Sequence, residues 1–316
     1  MATDALNRRL RTATPRRRVD RLVLSDADYL LFEAISRHGP LPTHYLYEFT
    51  RHLRRDYTHL QNRLTEFYNG DAYGPLLIRP PQQFAGFEAR YQHIVYDLAP
   101  RAKIALAERG TLARFCPRRT DPFLHQLMQA CVAASLELCA PARGLRYVSR
   151  EEILSHPKCP QATRAAVNPL AIPVAGVGQK ALIPDDLFGL EYPGMGFRFF
   201  ALEIDRNTES IERRNIGQTA FGVKIAGYLD ILRSQTYRAH WGLPNLHILT
   251  VTTNATHARN ILAHIEKQRD ATYGDRFALA CESSFGANWR VPRAVLSKLL
   301  VDPWATVGGL KDMGKP

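Results

Sequence analysis

Along the first hundred residues the apolar positions recur at helical spacing and then give way to short strand-like runs. Leu30, Leu31, Ala34 and Ile35 make one helical face that stops at Gly39-Pro40, and Ser25-Asp26-Ala27-Asp28 before it has the Ser-x-x-acid form of a capping box. A short second helix opens at Pro42-Thr43 with Leu46 and Phe49 inward. Leu53, Tyr57, Leu60, Leu64 and Phe67 predict a third, closed by Asn69-Gly70. The pattern then predicts a strand at Leu76 to Ile78, a Pro-Pro-Gln-Gln loop, a strand at Tyr91 to Tyr96, and a helix at Pro100 to Arg109 ended by Gly110.

Three short helices followed by a two-stranded hairpin predict a winged helix over residues 21–117. Thr120-Asp121-Pro122 reads as a junction, and Phe123 to Cys139 is a long apolar-faced helix. Beyond it, strands are predicted at Leu145 to Val148, Ala181 to Leu190, Phe197 to Asp205, Leu246 to Thr252 and Phe277 to Cys281. Helices are predicted at about Ile216 to Arg233 and Ala255 to Arg269. The order helix, three strands, helix, strand, helix, strand gives a mixed sheet flanked by helices. The fold class is therefore α/β (α+β) in two domains, with an arm over residues 1–20, the winged helix, a second domain over 121–305 and a tail over 306–316.

Charge changes the picture in the N-terminal third. The chain of 316 residues carries a net charge of +12, and residues 1–120 hold 20 Lys and Arg against 12 Asp and Glu. A basic domain attracts polyanions through counterion release, so double-stranded DNA is the first partner to expect. Arg8 to Arg18 includes Arg16, Arg17 and Arg18 and has no apolar periodicity. It reads either as a solvated tail or as an arm following a DNA groove. The third helix has a polar face of Arg54, Arg55, Thr58, His59, Gln61, Asn62 and Arg63, residue types that contact phosphates and base edges.

Five cysteines, an odd count without C-x-x-C spacing, fit reduced thiols. No apolar run approaches the ~20 residues of a membrane span, and MATDALNRRL lacks the apolar core of a signal peptide. The expectation is a soluble cytoplasmic protein with no membrane partner; a homodimer is compatible with it. Gly176 to Lys180 lacks the spacing of a phosphate loop and reads as a turn. His257 and His264 read as surface or packing residues.

The second domain poses the chemical question. In FFALEID, Phe199 to Asp205, period two sets Phe199, Ala201, Glu203 and Asp205 on one strand face. Two bare charges about 6.5 Å apart repel by roughly 2.5 kcal/mol at an effective dielectric near 20, so a cation is needed nearby. The Pro-Gly loop at Glu191 to Gly196 makes the preceding strand antiparallel, which brings Asp185 or Asp186 to the same face; a one-residue slip exchanges them. Three carboxylates on one face suit magnesium or manganese.

LIPDDLFGL followed by FFALEID resembles the two halves of the PD-(D/E)xK nuclease-like superfamily. With the winged helix, LEIDRNTES and then Lys224-Ile225-Ala226-Gly227-Tyr228, the chain more closely resembles the replication-relaxation family of plasmid and mobile-element proteins, from about residue 22 to 252. The resemblance implies Asp185, the acid directly after proline, as the ligand. It implies a site of Asp185, Glu203 and Asp205 holding Mg2+ or Mn2+, with Lys224 as the catalytic cation. Where the superfamily has lysine two residues after the glutamate, this chain has Asp205, and Lys224 would reach in from the next helix. Two readings follow: a metal-dependent DNA endonuclease of plasmid replication or mobilisation, or an inactive nuclease fold acting as a DNA-binding regulator, its acids held by Lys224, Arg206 or Arg213. Tyr228 shares the Lys224 helix face, one turn on.

Overall fold

Ser25 caps the first helix as its sequence predicts: its N–H and hydroxyl both donate to Asp28 at 2.9 Å, starting α1 (Asp26–His38). The computed structural model describes residues 20–85, 89, 91–113, 122–174, 181–206, 220–268 and 271–315, with Thr3, Asn7 and Pro15. After α1 come β1 (Leu41–Pro42), α2 (Thr43–Thr50) and α3 (Tyr57–Asn69), the last capped by Asp56, which accepts the His59 N–H at 2.7 Å. β2 (Leu77–Ile78) and β3 (Val95–Leu98) pair antiparallel, and β1 pairs with the other edge of β3. α4 (Pro100–Arg109) begins on a proline and ends on Gly110 in the left-handed region, φ 77°.

Two local expectations change. α3 begins at Tyr57, and Leu53 lies before it, 50% exposed, because a 3-10 turn over Arg51–Leu53 breaks the helical spacing. The second hairpin strand begins at Val95 rather than Tyr91. The buried Gln83 side chain holds both the N–H and the carbonyl of Val95, fixing where pairing starts. Leu31, Phe32, Ile35, Leu46, Leu60, Leu64 and Phe67 form the core of these helices, with the Phe32 and Phe67 rings 5.1 Å apart.

α5 (Phe123–Cys139) is buried continuously from Leu127 to Leu136, as a helix enclosed on all sides must be. It docks through Tyr45 to Ser135 at 2.9 Å and His38 to Glu137 at 2.7 Å. Contacts divide the chain into one compact unit of Met1–Leu138 with Arg290–Leu296, and another of Cys139–Trp289 with Ser297–Pro316. The division thus falls after α5, not at the Thr120-Asp121-Pro122 junction, of which Thr120 and Asp121 lie outside the described residues.

The second unit is built on β4 (Arg146–Val148), α6 (Arg150–Ser155), α7 (Gln161–Ala165), β5 (Ile172–Pro173), β6 (Ala181–Leu182), β7 (Asp186–Tyr192), β8 (Gly196–Asp205) and α8 (Ala220–Ser234). It continues with α9 (Thr236–Trp241), β9 (His247–Thr252), α10 (Ala255–Glu266), β10 (Phe277–Cys281), α11 (Lys298–Val301), β11 (Trp304–Thr306) and β12 (Gly309–Lys311). Seven strands form one mixed sheet in the order β12-β11-β10-β9-β8-β7-β4, with β8, β9 and β10 parallel and the rest antiparallel. The segment expected as a tail from residue 306 instead carries β12, which closes this sheet edge.

The strand expected from Ala181 to Leu190 is two strands, β6 and β7, interrupted at Pro184, which has no N–H to give a ladder. β7 and β8 form a hairpin that turns between Tyr192 and Gly196.

Candidate functional site

The β7–β8 register decides which acids face one another. Asp186 pairs with Leu202, so it shares the Leu202 face, opposite Glu203. There it is buried and bound by Arg150 of α6 at 2.6 Å. Asp185, one residue earlier, lies toward the Glu203 side: its N–H reaches the Leu202 carbonyl at 3.0 Å, and its carboxylate accepts the Ile204 N–H at 2.7 Å. The Pro-Asp pair therefore ends one strand while the aspartate side chain serves an N–H of the next.

Glu203 stands at the centre of the sheet, 1% exposed. Lys224 and Tyr228, four apart on one face of α8, each donate to one of its oxygens: Lys224 to Oε2, and Tyr228 to Oε1. Gly227 between them lets α8 lie against β6, since a Cβ there would meet the Leu182 Cδ1 at 2.9 Å. Burial pushes Glu203 up to about 7; the Lys224 charge draws it down and Asp185 pushes it further up. Burial alone would lower Lys224, but the charges of Glu203 and Asp185 hold it above its ordinary value. The Tyr228 phenol is raised by burial and then by the Glu203 charge, so it is a hydrogen-bond donor and not a nucleophile.

Asp205, on the same face, is bound by His257 of α10 at 2.6 Å. The sequence reading of His257 as surface or packing missed this, because α10 follows β9 and not the strand that carries Asp205. Arg206 reaches the Phe285 carbonyl instead of the acids, and Arg213 lies outside the described residues.

Asp185, Glu203, Asp205 and Lys224 thus come to one side of the sheet, but the three carboxylates do not form a metal-binding group. Among the described residues no cluster of three or more His, Cys, Asp or Glu side chains is placed to hold a metal ion. The donor chemistry agrees: magnesium and manganese require several oxygen ligands, whereas both Glu203 oxygens already accept hydrogen bonds from Lys224 and Tyr228. The cavity of about 10 Å³ beside Glu203, Lys224 and Tyr228 is lined otherwise mainly by apolar side chains, among them Ile248, Ile261, Ile265 and Phe277, and by neither Asp185 nor Asp205. As arranged, the acids do not fit the expected Mg2+ or Mn2+ site.

In the first unit the predicted DNA-facing residues separate into two groups. Arg54 is turned inward, its side chain 4% exposed, and binds Asp28 Oδ1 at 2.6 Å. Arg63 binds Asp28 Oδ2 and Glu66, both at 2.9 Å. Both arginines are thereby removed from the expected outward face: the capping carboxylate of α1 is fully buried and requires cations. Arg55, Thr58, His59, Gln61 and Asn62 are exposed. Gln61 borders a polar cavity of about 260 Å³ shared with Tyr57, Arg79, Tyr91 and Tyr96. Arg16, Arg17 and Arg18 lie outside the described residues.

These features define a mixed α/β protein of two units, one basic and helical with a small antiparallel sheet, the other built on a seven-stranded sheet with a buried Glu-Lys-Tyr cluster. Among the described residues no helix is long and apolar enough to cross a membrane. The chain belongs to the replication-relaxation family, which it matches over residues 32–246, more than half its length. No curated protein and no solved structure matches it.

Proposed function

We propose that this chain is a cytoplasmic double-stranded DNA-binding protein acting in the replication or mobilisation of a plasmid or other mobile element, and that its second unit is a nuclease-like scaffold without cleavage activity. Family membership supports the setting. The order of helices and hairpin in the first unit supports a winged helix, in which the third helix would enter the major groove. The observation that carries the proposal is the outward row of Arg55, just before α3, and of Thr58, His59, Gln61 and Asn62 on α3, a helix clamped to the core through Arg63 with Arg54 in the segment that leads into it. Arg55 would neutralise phosphate, and Gln61 or Asn62 would read adenine edges.

The scaffold reading of the second unit rests on Glu203, whose two oxygens are already occupied by Lys224 and Tyr228. The PD-(D/E)xK-like order of β7, β8 and α8 provides the fold, and the ion pair neutralises its central acid. Fluorescence anisotropy with duplex DNA tests the reading. Arg55→Ala should weaken binding and reduce the salt slope by about one. Unchanged affinity and slope would refute α3 as the DNA-contacting helix. Plasmid nicking in magnesium or manganese that Glu203→Ala abolishes would establish the metal-dependent endonuclease instead.

A further inference from the structure

The face of the seven-stranded sheet turned away from Glu203 gathers basic side chains that the scaffold reading does not use. Arg198, Phe200 and Leu202 alternate with Glu203 along β8 and point to this opposite face. Register sets His247 of β9 beside Phe200, their rings 5.6 Å apart. It ends a row of rings across neighbouring strands, Tyr147 to Phe188 at 5.3 Å and Phe188 to Phe200 at 5.1 Å. His247 is 7% exposed. Arg276, just before β10, places Nη1 at 3.1 Å from its Nε2, and Lys311 of β12 places Nζ at 3.3 Å from its Nδ1.

This arrangement lacks an acceptor. Burial, and then the charges of Lys311, Arg276 and Arg198, pull His247 down to about 2, so its ring is neutral, with one N–H and one lone pair. A guanidinium and an ammonium both only donate, so the one lone pair of the ring serves one of Arg276 and Lys311 and the ring N–H faces the other. Two donors converge on one gap. Burial, followed by the charges of Arg198 and Arg276, draws Lys311 down to about 8, opposed by Asp275. Among the described residues none of Arg198, Arg276 and Lys311 pairs with a carboxylate: Arg198 reaches the Lys315 carbonyl at 3.3 Å, and Lys311 the Asp275 carbonyl at 3.4 Å. Asp312, also nearby, is bound by Arg143 and Lys315.

We propose that Arg198, Arg276, Lys311 and the ring N–H of His247 form a phosphate-binding site on this sheet face. A phosphate oxygen supplies the acceptor that both donors lack, and its negative charge offsets three cations at once. The phosphate belongs either to a free nucleotide or to a nucleic-acid backbone. The site uses no residue of α3 and stands apart from the DNA-binding proposal.

The test uses the full chain in chloride buffer, with calorimetric titration of inorganic phosphate, pyrophosphate, a mononucleotide and a short oligonucleotide, alongside 15N NMR of the His247 ring. The wild type should bind phosphate and pyrophosphate with a shift of the ring 15N signals. Lys311→Gln and Arg276→Gln should each weaken binding about tenfold, the effect of losing one charge-assisted hydrogen bond. Exposed Lys158→Gln, an equal change in charge, should leave it intact. Mononucleotide binding stronger than that of inorganic phosphate supports the site with a nucleotide as its source. Oligonucleotide binding that perturbs the His247 ring even in Arg55→Ala supports it with a nucleic-acid backbone. The proposal is overturned if excess phosphate leaves the His247 ring unperturbed in the folded wild type, or if Lys158→Gln weakens binding as much as Lys311→Gln.

Discussion

Asp28 of the first unit and Glu203 of the second are both buried among cationic partners, and the two are neutralised to different degrees. Asp28 is fully buried and meets two guanidinium groups, with the Ser25 N–H as a further donor. Glu203 is 1% exposed and meets one ammonium and one phenol. Burial raises both, but at Asp28 the hydrogen bonds from Arg63, Ser25 and Arg54 outweigh it and hold the carboxyl below its ordinary range. At Glu203 burial wins and the carboxyl rises to about 7. The number and kind of donors, more than depth, decide whether a buried acid stays charged. Asp28 is a permanent anion that clamps α3 to α1; Glu203 stands close to neutrality beside its lysine.

The largest consequence is expected at Asp28. Asp28→Ala strands two guanidinium groups and should cost roughly 3–5 kcal/mol of stability in urea unfolding; an effect below about 1 kcal/mol, the scale of an exposed pair, would contradict the clamp. Lys224→Met should cost less, about 1–3 kcal/mol, because Glu203 answers the loss by taking a proton. An infrared band of a protonated carboxylic acid in that variant at pH 8, absent from Lys224→Met/Glu203→Gln, would verify the proton uptake. Tyr228→Phe should be smaller again, about 1 kcal/mol, the loss of one hydrogen bond to the same carboxylate.

The pH dependence of the two sites should run in opposite directions. Asp28 is lowered, so the stability it contributes is present above its unfolded value of 3.8 and is lost as pH falls through its folded value. Glu203 is raised from 4.5 to about 7, so its contribution is full below 4.5 and is lost as pH rises through about 7. Between pH 8 and pH 5 hydrogen exchange at β8 amides should therefore slow relative to α1 amides after correction for intrinsic rates. Equal changes in the two units would remove the distinction.

Much of the fold was legible because its periodicities are local. The capping box at Ser25, the helix ended by Gly110 and the hairpin before FFALEID each follow from a few neighbouring residues, and α1, α4 and β8 lie where those signals put them. The common face of Glu203 and Asp205 was equally legible, since alternation alone sets it. What escaped depends on partners distant in sequence. Arg54 and Arg63 looked outward on a helical wheel, but the buried Asp28, 26 and 35 residues away, draws them in. His257 gave no hint of Asp205, which lies 52 residues earlier. Asp185 and Asp186 were indistinguishable from strand pattern until register set Asp186 opposite Leu202 and beside Arg150. Short β11 and β12 carry too few alternating positions to announce a strand.

The central claim is that DNA is held by the outward row of α3 and the Arg55 that precedes it, while Glu203 serves only the interior of its own unit. Titration of one duplex, with and without magnesium, into the wild type, Glu203→Gln and the triple variant Arg55→Ala/Gln61→Ala/Asn62→Ala tests it most directly. The account predicts equal affinity for the wild type and Glu203→Gln in both buffers, and a loss of about a hundredfold or more in the triple variant. Magnesium-dependent binding or cutting that Glu203→Gln abolishes, with the triple variant unimpaired, would contradict it.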